Sequence, residues 1–126
     1  MPMPAYQPTE LHALFAQAFN RGDLNELLAL YEPNATIVVG GESVAGHDSV
    51  RAALERWLAA GGQIALATRA VIEGPDGLVV LHGAWAIASP EAPPSATVRR
   101  GLSTEVPRRQ SDGTWHFVID NPDMPI

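Results

Sequence analysis

The chain has 126 residues, no cysteine and a formal net charge of −6, with eight basic residues against fourteen acidic ones. These values exclude a disulfide framework, a thiolate zinc site and a thiol nucleophile, and the acidic balance argues against nucleic acid as a partner. A chain of this length forms one hydrophobic core. Residues 1–126 are therefore predicted to be a single domain that ends in a C-terminal tail at 121–126.

The first residues of the chain lack both the basic end and the apolar run of a secretion signal. No apolar stretch approaches the roughly 18 residues that a membrane-spanning helix needs. The sequence therefore predicts a cytoplasmic protein that does not interact with membranes.

Three helices are predicted in the first half of the chain. The apolar residues of the first recur at helical spacing and are Leu11, Leu14, Phe15, Ala18 and Phe19. Asp23 and Glu26 form a capping-box pattern for a second helix, which carries Tyr31. The third helix follows Gly46 and ends at the glycine pair 61–62.

The second half of the chain has the two-residue period of β-strands. Strands are predicted at 36–39, 63–73, 78–88, 96–110 and 114–120. A proline-rich loop at 89–95 separates two of them, and the prolines after Asp120 argue against a longer last strand. Helices followed by a run of strands predict an α+β fold with the helices packed on one face of an antiparallel sheet.

The strand at 78–88 is apolar on both faces. Val79 and Leu81 alternate with Val80 and Ala84, so both sides need cover, yet the helices can cover only one. Only 17% of residues are charged while 46% are apolar, which is lean for a small monomer. The sequence therefore predicts a homodimer in which a second copy covers the other face.

Four segments resemble a known family. They are Phe-Asn-Arg-Gly-Asp-Leu at 19–24, Leu-Tyr-Glu-Pro-Asn-Ala-Thr-Ile at 30–37, Gly-His-Asp-Ser-Val-Arg at 46–51 and Arg-Arg-Gln-Ser-Asp-Gly-Thr-Trp-His-Phe-Val-Ile-Asp-Asn-Pro at 108–122. In this order they resemble the nuclear transport factor 2-like (NTF2-like) superfamily, and within it the SnoaL-like branch that includes ketosteroid isomerase and polyketide cyclases.

The resemblance implies a cystatin-like cone, in which a curved sheet wraps around the helices and leaves an apolar cavity for a small molecule, commonly in a homodimer. In ketosteroid isomerase the general base is a carboxylate near the end of the first strand, a position that matches Val39. Valine cannot accept a proton, so the steroid-isomerase activity does not carry over. SnoaL-type cyclases use a cavity carboxylate late in the chain, for which Asp120 is the match.

The strand pattern itself nominates two carboxylates as catalytic residues. Glu105 shares a strand face with Arg99 and Ser103, and Asp120 ends the last strand on the face of His116 and Val118. We expect Glu105 and Asp120 to converge on the pocket, with Arg99 or His82 as partner. Two other interpretations stay open: Asp120 as a turn residue and Arg99 in a surface ion pair.

The remaining candidate ligand-binding residues surround this pair. They are Tyr31, Val39, Trp57, His82, Trp85, Arg99 and Ser103. The aromatic members offer stacking surfaces, although core packing explains them equally well. The other histidines, His12 and His47, are predicted at the surface and at a helix entry. No two histidines have metal-binding spacing, so neither a metal nor a cofactor is predicted.

Two functions remain open from the sequence. The first is binding of a small hydrophobic molecule in a cone-shaped pocket, with acid–base chemistry of the isomerase, cyclase or dehydratase type. The second is a non-catalytic ligand-binding or dimeric interaction module, since one fold hosts many functions. An open cavity that contains an ionisable group would favour the first.

Overall fold

The structure, a computed structural model, describes residues 4–88 and 99–124. Its helices are α1 (Glu10–Arg21), α2 (Leu24–Leu28) and α3 (His47–Ala60), with a short 3-10 turn at Pro75–Gly77. Its strands are β1 (Tyr31–Val39), β2 (Glu42–Ala45), β3 (Gln63–Glu73), β4 (Val79–Ala88), β5 (Arg99–Arg109) and β6 (Trp115–Met124). The predicted loop at 89–95 and the predicted strand residues 96–98 lie outside the described residues.

The strands form one curved, open sheet in the order β2-β1-β6-β5-β4-β3. The predicted α+β class is confirmed, but the sheet is mixed because β1 and β6 run parallel. A parallel pair needs a long crossover connection, which α3 and the strands β3 to β5 supply. This crossover brings the last strand of the chain beside the first, and the short strand β2, which the sequence did not predict, extends the edge next to β1.

The junction between α2 and β1 differs from the prediction. The Asp23 side chain accepts a hydrogen bond of 3.0 Å from the backbone of Glu26, as the capping pattern predicted. The prediction that Tyr31 belongs to this helix is wrong, because α2 ends at Leu28. The backbone N–H of Phe117 instead donates to the carbonyl of Leu30 at 2.7 Å, and the rings of Tyr31 and Phe117 lie 5.1 Å apart. Pairing with β6 therefore overrides the helical periodicity of this segment.

Strand β6 extends beyond its predicted end at Asp120. Asn121 pairs with Thr104 and Met124 pairs with Leu102, with one irregular step between the two pairs. Pro122 falls in that step, where a missing backbone N–H removes no ladder hydrogen bond. Residues 121–124 are thus part of the sheet, contrary to the predicted tail.

The core lies between the helices and the inner face of the sheet. Its fully buried large side chains include Leu11, Leu27, Ile37, Leu54, Leu81 and Phe117. No helix within residues 4–88 and 99–124 packs on the outer face, which exposes apolar side chains, among them Ile72 and Ile119 at 51% and 42%. The longest described helix, α3, has 14 residues, and none in the described ranges is long and apolar enough to cross a membrane.

Candidate active site

A cavity of about 370 Å³ lies between the helices and the inner face of the sheet. The residues around it are His12, Phe15, Phe19, Val38, Val39, Gly40, Trp57, Ile64, Leu66, Trp85, Ile87, Arg99, Arg100, Ser103, Glu105, Phe117, Asp120 and Pro122. Gly40, Arg99 and Arg100 are exposed and mark the opening. Glu105 and Asp120 are each 4% exposed and form the floor.

The two floor carboxyls are neighbours across the sheet. Glu105 on β5 is the direct register partner of Asp120 on β6. Side chains at such paired positions have Cβ atoms roughly 5 Å apart, so two negative charges in a buried site repel each other strongly. The arrangement favours a state in which one of the two carboxyls holds a proton.

His12 on α1 holds Glu105 from the helix side. Its Nε2 lies 2.5 Å from Glu105 Oε1, and its Nδ1 lies 2.7 Å from the hydroxyl of Thr68. Burial lowers the pKa of His12, against the opposing effect of the Asp120 charge, so the neutral ring is favoured. The partners assign the tautomer: Nε2–H donates to the Glu105 carboxylate, and Nδ1 accepts from Thr68.

Tyr31 holds Asp120 from the opposite side. Its hydroxyl donates to Asp120 Oδ2 at 2.6 Å. Burial, followed by the charge of Glu105, raises the pKa of Asp120 well above its usual range. The second oxygen, Oδ1, is buried and receives no hydrogen bond. A proton on Oδ1 makes Asp120 a donor toward Glu105, which satisfies this atom.

Burial raises the pKa of Glu105 to about 7, although the nearby Asp120 and Ser103 side chains partly oppose the shift. Near neutral pH Asp120 therefore keeps its proton as the acid, while Glu105 is about half ionised and serves as the ionisable base. Two neighbouring carboxyls whose pKa values are driven apart can supply both halves of an acid–base reaction.

Two glycines on the inner face make room for the site. A Cβ atom on Gly83 would lie 2.7 Å from Ser103 Oγ and 3.0 Å from His12 Cε1. One on Gly101 would lie 2.6 Å from the Trp85 ring, whose Nε1 donates to the Pro122 carbonyl at 2.6 Å. The missing side chains therefore let the imidazole and the indole approach the strand backbone closely.

The structure places most of the predicted site residues around the cavity. Those at its wall are Val39, Trp57, Trp85, Arg99, Ser103, Glu105 and Asp120. Tyr31 lies behind Asp120 and does not contact the cavity. His82 is turned to the outer face of the sheet, where Nδ1 lies 3.0 Å from Thr104 Oγ1. It therefore does not line this cavity, because Leu81 and Gly83 take the inward positions of β4.

Asp120 reaches the cavity through a local irregularity. Val106 pairs with Ile119 while Pro107 pairs with Phe117, so β6 has an extra residue between these two pairs. The bulge puts Phe117 and Asp120 on the same inner face. The predicted alternation, which grouped Asp120 with His116 and Val118, is therefore wrong. The carboxyl pair also has other partners than the expected Arg99 or His82: His12 contacts Glu105, and Tyr31 contacts Asp120.

His12 is the main site residue that sequence reasoning missed. It was expected at the surface, yet it is 2% exposed. A signal was available: His12, Phe15 and Phe19 are spaced i, i+3 and i+7, which places them on one face of α1. A histidine on the same face as two buried aromatic residues marks a buried polar position that needs partners.

The cluster is held by hydrogen bonds between side chains. In residues 4–88 and 99–124, no three His, Cys, Asp or Glu side chains are arranged to hold a metal ion. The chain Tyr31–Asp120 and the chain Thr68–His12–Glu105 instead meet at the carboxyl pair. Each carboxyl thus has one fixed neighbour, which orients it toward the other.

Substituting Glu105→Gln is expected to change how stability depends on pH. The folded-state pKa of about 7 exceeds the ordinary value of 4.5, so the native protein binds this proton more tightly and loses stability as pH rises between those values. The variant lacks this loss. Relative to wild type, its free energy of unfolding should rise by on the order of 3 kcal/mol between about pH 4.5 and pH 8, measured by urea titration.

The exposed Glu55→Gln variant on α3 is the matched control for this measurement. It makes the same chemical change outside the cluster and should keep the wild-type pH profile. Parallel profiles for wild type and the Glu105→Gln variant would show that Glu105 is not the group with the raised pKa.

Comparisons with known proteins agree with this fold. The family model described as the SnoaL-like domain matches residues 11–121. A comparison with curated proteins finds no significant match. Among solved structures, an NTF2-like protein of unknown function from Shewanella oneidensis is 17% identical, with a TM-score of 0.73 over 94% of this chain and 100% of that one.

Two further structures are similar. A domain of unknown function with a cystatin-like fold from Nostoc punctiforme is 14% identical, with a TM-score of 0.75 over 94% of this chain and 76% of that one. A proposed dehydratase of the NTF2-like family from Streptomyces avermitilis is 20% identical, with a TM-score of 0.69 over 92% and 93% of the two chains. At these identities the likenesses establish the fold alone.

Proposed function

The chain belongs to the SnoaL-like domain family, and from this premise we propose that it binds a small, mostly apolar carbonyl compound and catalyses a proton transfer of the isomerase or dehydratase type. The observation that carries the proposal is the buried Glu105–Asp120 pair on the cavity floor. Similarity to a proposed dehydratase supports the same class of reaction.

Glu105 acts as the general base in this proposal. Its carboxylate takes a proton from the carbon next to the substrate carbonyl, and the electrons of the broken C–H bond move toward the carbonyl oxygen. As Glu105 takes up that proton, the O–H of protonated Asp120 turns from Glu105 to the carbonyl oxygen and donates a hydrogen bond to it as negative charge develops there. In an isomerisation Glu105 then returns the proton to a different carbon. In a dehydration the departing hydroxyl group takes it.

The neighbouring side chains act by positioning the pair. Neutral His12 orients Glu105 without neutralising it, and Thr68 holds the tautomer in which Nε2 is the donor. Tyr31 orients Asp120 from behind. Because these donors are already in place, little reorganisation is needed as charge moves during the reaction.

The test uses exchange of carbon-bound hydrogen, which requires no knowledge of the natural substrate. A panel of small cyclic ketones and enones is incubated with the protein in D₂O, and deuterium incorporation next to the carbonyl is measured by mass spectrometry. We expect exchange above the buffer rate for at least one compound. Asp120→Asn should reduce it by about 100-fold, since the amide keeps the shape of the acid but not its acidity.

Asp76→Asn is the control for this substitution. Asp76 is an exposed turn residue with φ of 58°, a conformation that asparagine also tolerates. This variant should exchange at the wild-type rate. Buffer-level exchange of every ketone by the wild-type protein would contradict the proposal and favour the non-catalytic binding module.

We also infer that a second copy of the chain covers the outer face of the sheet. Ala84 lies in the middle of this face between its cross-strand neighbours Ala67 and Leu102, and Ile119 adds further exposed apolar surface. A sheet face with small apolar side chains at its centre suits a two-fold contact with itself. Light scattering at micromolar concentration should therefore give the mass of a dimer, and Ala84→Glu should give a monomer.

Ala52→Glu on the exposed side of α3 is the control for the dimer test. It adds the same charge away from the sheet and should leave the dimer intact. A monomeric wild-type protein, or an Ala84→Glu variant that stays dimeric, would contradict the inference.

A further inference from the structure

The opening of the cavity carries the opposite charge to the protein as a whole. The net charge is −6, yet Arg99 and Arg100 both line the opening. Neither arginine forms an ion pair or a side-chain hydrogen bond with a residue in the described ranges. The Arg99 side chain lies on the inner face, and Arg100 follows it at the same rim, so the entrance of the pocket has a local positive potential.

Strand β5 sets the distance between these cations and the acid–base pair. Arg99 pairs with Ile87 and Glu105 pairs with Leu81, so both residues lie on the inner face at opposite ends of the strand. Six residues of strand span about 20 Å between Cα atoms, and the side chains reach into the cavity from both ends. The cavity therefore has a cationic end at the opening and a proton-transfer end at the floor.

The wall between the two ends is mostly apolar. Its middle is formed by Phe19, Ile64, Leu66, Trp85 and Ile87. Its polar side chains include His12 and Ser103; Ser103 is 3% exposed, and its hydroxyl lies beside Glu105. This hydroxyl can also hydrogen-bond a polar group of a ligand in the cavity.

We propose that the ligand is an amphipathic carboxylate, in which an apolar body carries the carbonyl group at one end and a carboxylate at the other. The body fills the apolar middle of the cavity, and the carboxylate binds Arg99 at the opening, where the charge of Arg100 at the rim adds to the attraction. Guanidinium groups match the planar geometry of a carboxylate and form charge-assisted hydrogen bonds with it. The orientation, with the carbonyl at the floor, rests on the proposed function.

The test compares an acid with its neutral amide, 6-acetyl-2-naphthoate and 6-acetyl-2-naphthamide, in which the ketone and the carboxylate or amide lie at opposite ends of the apolar ring system. Dissociation constants are measured by quenching of tryptophan fluorescence, since Trp57 and Trp85 line the cavity. Wild type should bind the carboxylate about fivefold more tightly than the amide. In the double variant Arg99→Gln/Arg100→Gln this preference should disappear, while the affinity for the amide stays unchanged.

The control is the double variant Arg56→Gln/Arg69→Gln, which removes the same charge from exposed positions outside the cavity. This control variant should keep the preference for the carboxylate. If it lost that preference, the effect would be due to net charge, and the proposal would be overturned. Equal affinities in wild type, or no binding of either compound, would overturn it as well.

The binding test does not depend on turnover, so the two proposals can fail separately. A preference for the carboxylate without deuterium exchange would support the ligand class and contradict the catalytic role. If the protein exchanged deuterium on neutral ketones but bound the acid and the amide equally well, only the proposed ligand class would be contradicted.

Discussion

Replacing Glu105 with glutamine is expected to reduce deuterium exchange by about 1000-fold. The amide has the same shape and can still accept the hydrogen bond from His12, which lies 2.5 Å away in the wild type. It cannot take up a proton from carbon, so the chemical step is lost while binding is retained. Mass spectrometry measures the exchange rate, and fluorescence quenching measures the affinity for the same ketone.

The pH dependence of the wild-type rate follows from the same residue. The pKa of Glu105 is raised to about 7, and the base must be ionised, so the rate should rise as pH increases through that value. Asp120 must keep its proton, and its strongly raised pKa places the loss of activity at higher pH. The residual rate of the Glu105→Gln variant should lack the rising limb near pH 7.

Glu42→Gln is the informative control for the base. Glu42 is exposed on β2 and is the acid closest in sequence to Val39, where ketosteroid isomerase carries its base. If the Glu42→Gln variant exchanged deuterium at the wild-type rate, Glu42 would be excluded as a base that replaces the missing carboxylate at Val39. If instead the Glu105→Gln variant exchanged within about threefold of wild type, the assignment of Glu105 as the base would be lost.

Replacing Phe117 with alanine is expected to cost about 3–5 kcal/mol in the free energy of unfolding. Phe117 is 1% exposed, packs against the ring of Tyr31 and contributes to the cavity wall. Its removal leaves a void in the core and frees the ring that orients Asp120. Since small domains have a total stability of about 5–15 kcal/mol, urea unfolding should show a large fall in the midpoint.

Two further variants separate packing from surface effects. Phe117→Leu keeps most of the buried volume and should lose much less stability than the alanine variant. Ile119→Ala lies two residues away at a position that is 42% exposed and should cost under about 1 kcal/mol in the monomer. A Phe117→Ala variant as stable as Ile119→Ala would show that the β6–β1 junction is not part of the core.

Local sequence patterns determined most of the elements. The helix at 10–21 follows from its apolar spacing, and the strands at 63–73 and 79–88 follow from their alternation and from the glycine and proline turn between them. The grouping of Arg99, Ser103 and Glu105 on one face of β5 also follows, because regular alternation relates residues of the same strand.

The Glu105–Asp120 carboxyl pair depended on contacts between distant parts of the chain. Asp120 faces the cavity only because of the bulge in β6, and no local signal at 114–120 reveals an extra residue. Tyr31 left its predicted helix because pairing with β6 stabilises a strand there. In both cases the deciding partner lies in another strand, which strand periodicity alone does not identify.

The sequence by itself determined the α+β class, the family resemblance and the two carboxylates, since these depend on residue type and on spacing within single elements. Only the tertiary structure decided that His12 and Glu105, 93 residues apart, and Tyr31 and Asp120, 89 residues apart, form one hydrogen-bonded cluster. The physical reason is that the crossover from β1 to β6 and the register of the sheet select those partners, and both are properties of the whole fold.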